Sequence, residues 1–515
     1  MAAGHLCLVL HAHLPWCRHA GEAVTLEESW LFEAIWESYV PLLLMLDRLA
    51  GDGVPVRLTL SLSPVLLEML ADGHLMGRFR RHLDHLLALA EAESARDGPE
   101  RAAADHHARH LAAVRDAFDH RCGGDLPAAF AAHARAGRLD LVTTAATHGY
   151  LPLLWPEPGA VRGQIDTARR TFRRHFGRDP EGLWLPECGY TPGLDGVLAT
   201  QGVRYTFLEA HGLLHARPVP PHGVTAPART PAGVAVLARE PELARRVWSA
   251  GTGYPGAPAY REFHRDLADR RDTGTPGPTG LKLWRITGRD RDAKAPYAPD
   301  AAARQADADA RRFVQAVTAA VRRRDRDAPP VTLTCPFDAE LFGHWWFEGP
   351  YWLERVFRHL AATDAVAAAT PGDVLADAPQ LPRVEPAASS WGEHGYHNVW
   401  LNTETDWLWP HLHRAARTMA ILARDHAATP ADTPAGRTLR QAGRELLLAQ
   451  ASDWPFMLRT GTAARDAEHR LGTHLGRFRL LADALRAGGV PDPRHLTAIE
   501  AVDTVFPALA PGTFR

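Results

Sequence analysis

Two short segments place carboxylates among aromatic and apolar residues, where a charged side chain is costly to bury unless it has a partner or a task. Glu187 lies in Trp-Leu-Pro-Glu-Cys-Gly-Tyr, which covers residues 184–190. Asp338 and Glu340 open Asp-Ala-Glu-Leu-Phe-Gly-His-Trp-Trp-Phe-Glu, which ends at Glu348. Apolar neighbours shift the pKa of a carboxyl group, which suits acid–base chemistry. Two carboxylates on separate strand ends are the layout of glycoside hydrolysis. Salt bridges to nearby arginines are the structural alternative.

Histidines form the second group of candidate residues. In His11-Ala12-His13 the two imidazoles alternate along a predicted strand, so both lie on one face at its carboxyl end. Metal ligation, hydrogen bonding to sugar hydroxyls and charge placement beside a catalytic carboxylate are all open to such a pair. His148 follows another strand exit, although a structural histidine fits that position equally well.

Tryptophan is unusually frequent, with 15 residues against 9 tyrosines. Its flat ring packs on apolar faces, including those of sugars. The segments that border the expected cleft contain Trp184, Trp284, Trp345, Trp346, Trp391 and Trp400. Core packing explains Trp36 and Trp352 better.

Composition excludes several classes of protein. The chain has 515 residues, 58 Lys+Arg and 60 Asp+Glu, which gives a formal charge of −2. This balance argues against electrostatic capture of nucleic acid or of an anionic membrane. The five cysteines form no CxxC pair, and neither a basic leader nor an apolar run of about 18 residues occurs. We therefore expect a cytoplasmic protein with reduced thiols, no disulfide framework and no contact with membrane or nucleic acid.

The chain alternates strand-like and helical patterns, which predicts an α/β fold. Strands are predicted at His5–His11, Val56–Leu62, Leu139–Thr144, Gly182–Pro186, Arg204–Leu208, Leu281–Ile286 and Val331–Cys335. An amphipathic helix is predicted at Glu28–Leu49, and surface loops at Ala216–Gly233 and Asp272–Gly280. Three parts follow: a catalytic barrel at 1–67 and 139–395, a helical insertion at 68–138, and a C-terminal helical domain at 396–515. Barrel enzymes keep their active sites at the carboxyl ends of the strands.

Several motifs together resemble family-57 glycoside hydrolases, and within that family the 1,4-α-glucan branching enzymes. The motifs are His11-Ala-His, Thr147-His-Gly-Tyr, Trp184-Leu-Pro-Glu-Cys, Phe337-Asp-Ala-Glu-Leu-Phe-Gly-His-Trp-Trp, Ser390-Trp-Gly and Ser452-Asp-Trp-Pro-Phe. The resemblance implies a distorted (β/α)7 barrel with a helical insertion and a C-terminal α-helical domain. It implies that Glu187 is the nucleophile and Asp338 the general acid/base of a retaining enzyme, with carboxyl groups about 5–5.5 Å apart.

The same resemblance implies an α-1,4-glucan as partner, no metal or organic cofactor, and a monomer or homodimer. It places in or near the substrate cleft His11, His13, Trp30, His148, Trp284, Trp391, Trp400 and Asp453. One departure is visible: similar branching enzymes carry a tyrosine on a loop over the active site, and residues 213–253 contain none.

Three other functions stay open at this point. An α-glucan hydrolase or 4-α-glucanotransferase would use the same pair, and the missing tyrosine favours it. A metal-dependent hydrolase or deacetylase also uses an HxH pair with an aspartate; the further run Asp105-His-His-Ala-Arg-His lies in the insertion and is expected to be solvated. A non-catalytic glucan-binding protein is the third.

Overall fold

The computed structural model describes residues 3–19, 21, 23–249, 251–270, 278–288, 293–323, 330–378 and 380–515. Its strands are β1 Gly4–Ala12, β2 Leu58–Leu62, β3 Leu139–Val142, β4 Gly182–Leu183, β5 Tyr205–Leu208, β6 Ala228–Arg229, β7 Ala235–Ala238, β8 Val331–Asp338 and β9 Val366–Ala368.

Seven parallel strands close into a barrel. One sheet has the order β3-β2-β1-β8 and the other begins β4-β5-β7. Parallel bridges join the two sheets at both edges, from Thr143 to Leu183 and from Arg239 to Thr334. The cyclic order is therefore β1-β2-β3-β4-β5-β7-β8, which is the expected (β/α)7 barrel. Short β6 pairs antiparallel with β7, and β9 pairs with the start of β1.

Strand register aligns the carboxyl ends that carry the candidate residues. In the ladder of β1 with β8, His11 lies opposite Asp338, and in that of β1 with β2 it lies opposite Ser61. Parallel strands share one direction, so their carboxyl ends meet at one rim of the barrel.

The predicted helix Glu28–Leu49 is two helices, α1 Leu26–Ala34 and α2 Val40–Gly51, joined by a π-helical turn at Ile35–Tyr39. A capping box starts α1: the Thr25 side chain accepts from the Glu28 N–H, and the Glu28 carboxylate accepts from the Thr25 N–H. The π turn is fully buried, and π turns are frequent beside functional sites.

The insertion is helical, as predicted. It contains the end of α3 Pro64–Leu70, then α4 Gly73–Ser94, α5 Arg101–Asp116 and α6 Leu126–Arg135. One expectation for this region was wrong. The His107 side chain is fully buried rather than solvated, and its Nε2 hydrogen-bonds to the Lys282 carbonyl at 2.9 Å. The reason is that α5 packs against the loop around residue 282, with the ring of Phe347 5.1 Å from that of His107.

The remaining barrel helices are α7 Leu151–Leu154, α8 Pro158–Phe176, α9 Leu194–Thr200, α10 Ala210–Leu214, α11 Pro241–Trp248, α12 Pro299–Arg322, α13 Gly349–Ala361 and α14 Pro371–Asp377. The C-terminal helices are α15 Leu408–Asp425, α16 Pro434–Ala449, α17 Asp453–Thr460, α18 Ala464–Arg486 and α19 Pro493–Val502. Barrel, insertion and C-terminal helices share one buried apolar cluster, which includes Leu8, Phe79 and Phe478. No described helix is both long and apolar enough to cross a membrane.

Two predicted segments differ from the structure. Leu281–Ile286 forms no strand, because its backbone makes only isolated bridges, from Trp284 to Pro296 and from Arg285 to Arg261. The predicted loop Ala216–Gly233 contains strand β6. Of the predicted loop Asp272–Gly280, residues 272–277 lie outside the described part of the chain.

Candidate active site

A cavity of about 860 Å³ opens at the carboxyl ends of the barrel strands. Both predicted catalytic carboxylates line it, from the ends of β4 and β8. The predicted binding residues that line it are His11, His13, Trp30, His148, Trp391 and Asp453. Helix α17 therefore brings the C-terminal region to the same cavity as the barrel.

Glu187 occupies a tight turn directly after β4. Its φ of 58° and that of Cys188, 49°, are left-handed values that non-glycine residues rarely adopt. The Glu187 carbonyl accepts a hydrogen bond of 2.8 Å from the Trp391 N–H, which holds this turn from outside. Such local backbone strain is typical of residues held for a function.

The electrostatic setting of Glu187 is unusual for a carboxylate. Burial, then the charges of Asp338 and Asp453, raise its pKa to about 8. Its side chain keeps 27% of its surface exposed, and Oε1 lies 4.0 Å from Nδ1 of His148. The carboxyl group is thus accessible from the cavity but weakly solvated.

Asp338 is the last residue of β8, and its side chain is exposed within the cavity. Burial of its surroundings raises its pKa to about 6, against the opposing charges of Arg239 and His13. Because the two carboxyls repel each other when both are ionised, the pair favours a state in which they share one proton. Of the two, Glu187 has the higher pKa.

Arg239 was not predicted as a site residue. It follows β7, donates to Glu209 Oε2 at 2.8 Å, and places its guanidinium 4.5 Å from the ring centre of Trp391. The short apolar run Ala-Val-Leu-Ala before it was the available signal for a strand end. Arg239 supplies positive charge on the Asp338 side of the cavity.

The three predicted histidines form one stacked, hydrogen-bonded group. Nε2 of His11 and Nε2 of His148 are 2.9 Å apart, and the rings of His13 and His148 stack with centres 4.2 Å apart. Each Nδ1 hydrogen-bonds to a serine hydroxyl: His11 to Ser61, His13 to Ser63 and His148 to Ser452.

Burial and the neighbouring imidazoles lower the pKa of His11 and of His148 well below the usual range, so both are neutral. His13 Nε2 hydrogen-bonds to Asp453 Oδ2 at 3.1 Å. Protein groups therefore engage both ring nitrogens of all three histidines, so a metal ion or a sugar hydroxyl binds there only by replacing one of these hydrogen bonds.

Glu340, two residues after Asp338, also lines the cavity but is buried. Its Oε1 accepts hydrogen bonds from the His13 N–H, at 3.1 Å, and from the Tyr39 hydroxyl of the π turn. Burial raises the pKa of Glu340 to about 8. Local sequence does not predict where this side chain lies, because its partner Tyr39 is 301 residues away in the chain.

The tryptophans divide between the cavity and the core. Trp30, Trp184, Trp345 and Trp391 line the cavity. Trp184 stacks on His11 with ring centres 4.8 Å apart and meets Trp391 edge to face at 5.0 Å.

Trp284 and Trp400 do not line the cavity, in contrast to the expectation. Both are buried. Trp284 lies in the loop that forms no strand, with the Arg265 guanidinium 4.3 Å from its ring centre. Trp400 stacks on Tyr150 at 4.1 Å, and a Cβ on Gly189 would lie 2.6 Å from that tyrosine ring. Trp400 thus packs in a layer behind the Glu187 turn.

The barrel and its paired carboxylates define a glycosidase-like site, and comparison with known proteins gives the family. Residues 7–380 match the sequence model of glycosyl hydrolase family 57, and the chain belongs to this family. Residues 411–514 match the model described as 1,4-alpha-glucan branching enzyme, C-terminal.

The similar proteins include both branching enzymes and an α-amylase. A probable 1,4-alpha-glucan branching enzyme of Mycobacterium tuberculosis is 34% identical over 98% of this chain and 97% of its own length. The crystal structure of a family-57 branching enzyme from Thermococcus kodakaraensis has a TM-score of 0.91 and 31% identity, covering 99% of this chain and 96% of that one. The α-amylase AmyC from Thermotoga maritima has a TM-score of 0.91 and 36% identity, covering 99% of both chains.

Proposed function

We propose that this protein is a 1,4-α-glucan branching enzyme that acts by retaining transglycosylation. The proposal rests on one observation: the carboxyls of Glu187 and Asp338 follow separate strands yet line one cavity, where their charges interact. The match of residues 411–514 to the branching-enzyme C-terminal model supports the choice of reaction.

In the first step Asp338 donates its proton to the glycosidic oxygen of an α-1,4 bond while Glu187 attacks the anomeric carbon. The carbon–oxygen bond breaks, the leaving chain departs with the proton, and a covalent glycosyl-enzyme forms on Glu187. In the second step Asp338 removes the proton of an acceptor 6-hydroxyl, whose oxygen displaces Glu187. The product has an α-1,6 branch, and the enzyme regains its starting protonation.

This assignment requires the shared proton to lie on Asp338 when the substrate is bound. In the structure the pKa of Glu187, about 8, is above that of Asp338, about 6. We propose that substrate binding reverses the order, because the glycosidic oxygen accepts a hydrogen bond from protonated Asp338 and the developing positive charge at the anomeric carbon favours ionised Glu187.

Several cavity residues are suited to hold the glucan. His11, His13 and His148 line the cavity, where a sugar hydroxyl can take the place of one of the hydrogen bonds that these rings make to protein groups. Trp30 and Trp391 offer flat apolar faces. Asp453 orients His13 through its hydrogen bond. We propose that these residues bind the sugar units around the bond that is cleaved, with no metal or organic cofactor in the reaction.

We further propose a cytoplasmic location and a monomeric or homodimeric state. All five cysteines are free, and burial raises the pKa of the thiols of Cys7, Cys17, Cys188 and Cys335. Buried unreactive thiols are typical of proteins kept in a reducing compartment.

Incubation with amylose tests the function directly. We expect a fall in iodine staining with little release of reducing ends, and short chains liberated afterwards by a debranching enzyme. Glu187→Gln and Asp338→Asn should each abolish these changes. If the wild-type product releases no short α-1,6-linked chains, branching is wrong. If wild type and Glu187→Gln bind amylose equally and neither changes it, the protein is a glucan-binding protein.

The second candidate is an α-glucan hydrolase with the same catalytic pair. Two observations favour it: residues 213–253 contain no tyrosine, and AmyC, named as an α-amylase, shares the full architecture. A branching enzyme must exclude water from the glycosyl-enzyme, and that loop is the expected shield. In the amylose assay, reducing ends that rise in step with the loss of iodine staining would establish hydrolysis.

A further inference from the structure

An aromatic stack on the cavity wall includes the loop after β8, whereas the Glu187 turn follows β4. Trp345 lines the cavity and keeps 55% of its surface exposed. Its indole stacks on Phe263 with ring centres 4.4 Å apart and 29° between the planes. The Nζ of Lys282 lies 4.2 Å from the centre of the Phe263 ring. We call Trp345, Phe263 and Lys282 the aromatic platform.

The backbone beneath the platform is firmly held. The Trp345 N–H donates to the Glu340 carbonyl at 3.1 Å. The preceding His344 N–H donates to the Ser38 hydroxyl at 3.1 Å, and its Nδ1 hydrogen-bonds to Glu37 Oε2 at 2.7 Å. The exposed indole is therefore fixed in place before any ligand arrives, which reduces the entropy lost on binding.

The buried charges around the platform are balanced. Lys282 is buried, and its positive charge lowers the pKa of both Glu33 and Glu37 against the effect of their burial. A cation near an aromatic face is attracted by the ring's electrons, so Lys282 stabilises Phe263 and, through it, the indole. Glu33 and His344 also line the cavity and are polar groups able to bond hydroxyls, and the His344 ring lies 5.3 Å from that of Trp345.

We infer that the aromatic platform is a sugar-stacking site that holds one glucosyl unit of the α-1,4-glucan, apart from the units held at the catalytic pair. The inference rests on the proposed function. A glucosyl ring has an apolar face and a hydroxyl-rich edge, which match a rigid exposed indole and flanking polar groups. The rings of Trp184, His11 and Trp391 are a different set, grouped around the Glu187 turn.

Titration of maltooligosaccharides from maltose to maltoheptaose into the inactive Glu187→Gln enzyme tests the inference. Loss of the indole in Trp345→Ala should weaken the Kd for maltoheptaose about 5- to 10-fold. Maltose, which is too short to occupy both parts of the wall, should lose less than the longer chains. Trp345→Phe should restore most of the affinity, because it keeps a flat ring.

Trp407→Ala is the matched control. Trp407 is similarly exposed, at 42%, and donates from Nε1 to the Glu404 carbonyl at 3.0 Å. It is absent from the described residues that line the cavity, so its loss should leave every Kd unchanged.

The outcomes separate the inference from the proposed function. If the Glu187→Gln parent binds maltoheptaose and Trp345→Ala binds it equally well, the platform is not a sugar site and the proposed function stands. If the parent binds no maltooligosaccharide of any length, both are wrong. An equal loss of affinity in Trp407→Ala would also overturn the inference, because the effect would then not depend on the cavity wall.

Discussion

Gly343, in the loop after β8, packs against the backbone of the π turn that follows α1. We expect its replacement by alanine to disrupt both segments. Its φ is +123°, a conformation that residues with a side chain rarely adopt. A Cβ at this position would lie 1.8 Å from the Glu37 carbonyl oxygen, 2.5 Å from its carbonyl carbon and 2.9 Å from the Ser38 Cα. All three obstacles are backbone atoms, so no side-chain rotation relieves the clash.

Two separate effects lower the free energy of unfolding in this variant. A side chain in such a backbone conformation costs about 1–3 kcal/mol. Separating two packed backbone segments to accommodate the methyl group costs about 1–3 kcal/mol more, as in overpacked cores. We therefore expect Gly343→Ala to lower the free energy of unfolding by about 2–6 kcal/mol.

The displaced segment includes residues of the cavity wall. His344 and Trp345 follow Gly343 directly, and the Gly343 N–H donates to the Trp346 carbonyl at 2.8 Å. We therefore expect the rate of amylose conversion to fall by more than the loss of folded protein explains.

Urea unfolding followed by circular dichroism, together with initial rates on amylose, measures both effects. Gly196→Ala in α9 is the matched control, since its added Cβ meets no atom within 4 Å. Alanine in place of glycine at that helical site should raise stability by up to about 1 kcal/mol. The reasoning is refuted if Gly343→Ala unfolds within about 1 kcal/mol of the control, which is the size of an ordinary substitution effect.

Three further predictions concern the catalytic end of the cavity. Burial raises the pKa of Glu187 from 4.5 to about 8, so its contribution to stability is present below pH 4.5 and is lost as pH rises to about 8. Glu187→Gln cannot release a proton, so its stability relative to wild type should increase from pH 4.5 to about pH 8. Urea titrations that give the same difference in stability between variant and wild type at both pH values would contradict this. Asp453→Ala removes the hydrogen-bond partner of His13 and should lower kcat/KM on amylose about tenfold or more, since a hydrogen bond to a charged group contributes about 1.5–3 kcal/mol. An unchanged kcat/KM would show that His13 does not need the hydrogen bond to Asp453. Glu340→Ala leaves the His13 N–H and the Tyr39 hydroxyl without their acceptor, which should lower stability by about 1–3 kcal/mol for each group. Glu340→Gln retains an acceptor and should lose less. Thermal melts in which the two variants coincide would rule out Glu340 as a stabilising acceptor.

Local pattern was enough to predict most of the barrel. Six of the seven barrel strands coincide with predicted segments, because buried parallel strands are short apolar runs bounded by polar residues. Strand β7 was missed, since Ala235–Ala238 is short and weakly apolar. Leu281–Ile286 has an equally good strand pattern yet forms none, because pairing partners and not the segment itself decide whether a strand exists.

The aromatic residues show a second limit. Trp391 and Trp400 occur in one segment with similar neighbours, yet Trp391 lines the cavity and Trp400 is buried against Tyr150. An indole packs well both in an apolar core and against the apolar face of a sugar, so its sequence context does not separate the two environments. His107, in a run that suggested a solvated helix face, is buried because the loop around Lys282, distant in sequence, packs against α5.

The sequence is enough to predict that the candidate catalytic side chains share one rim of the barrel. Carboxylates and histidines that end parallel strands must meet at one rim, because the strands share a direction, and Glu187, Asp338 and His11 do line one cavity. The protonation of these groups, in contrast, depends on how the chain folds. The raised pKa of Glu187 depends on burial by distant segments and on the charges of Asp338 and Asp453. Such distances are set by how the whole chain packs, and electrostatic coupling depends on distance and solvent exposure rather than on position along the sequence.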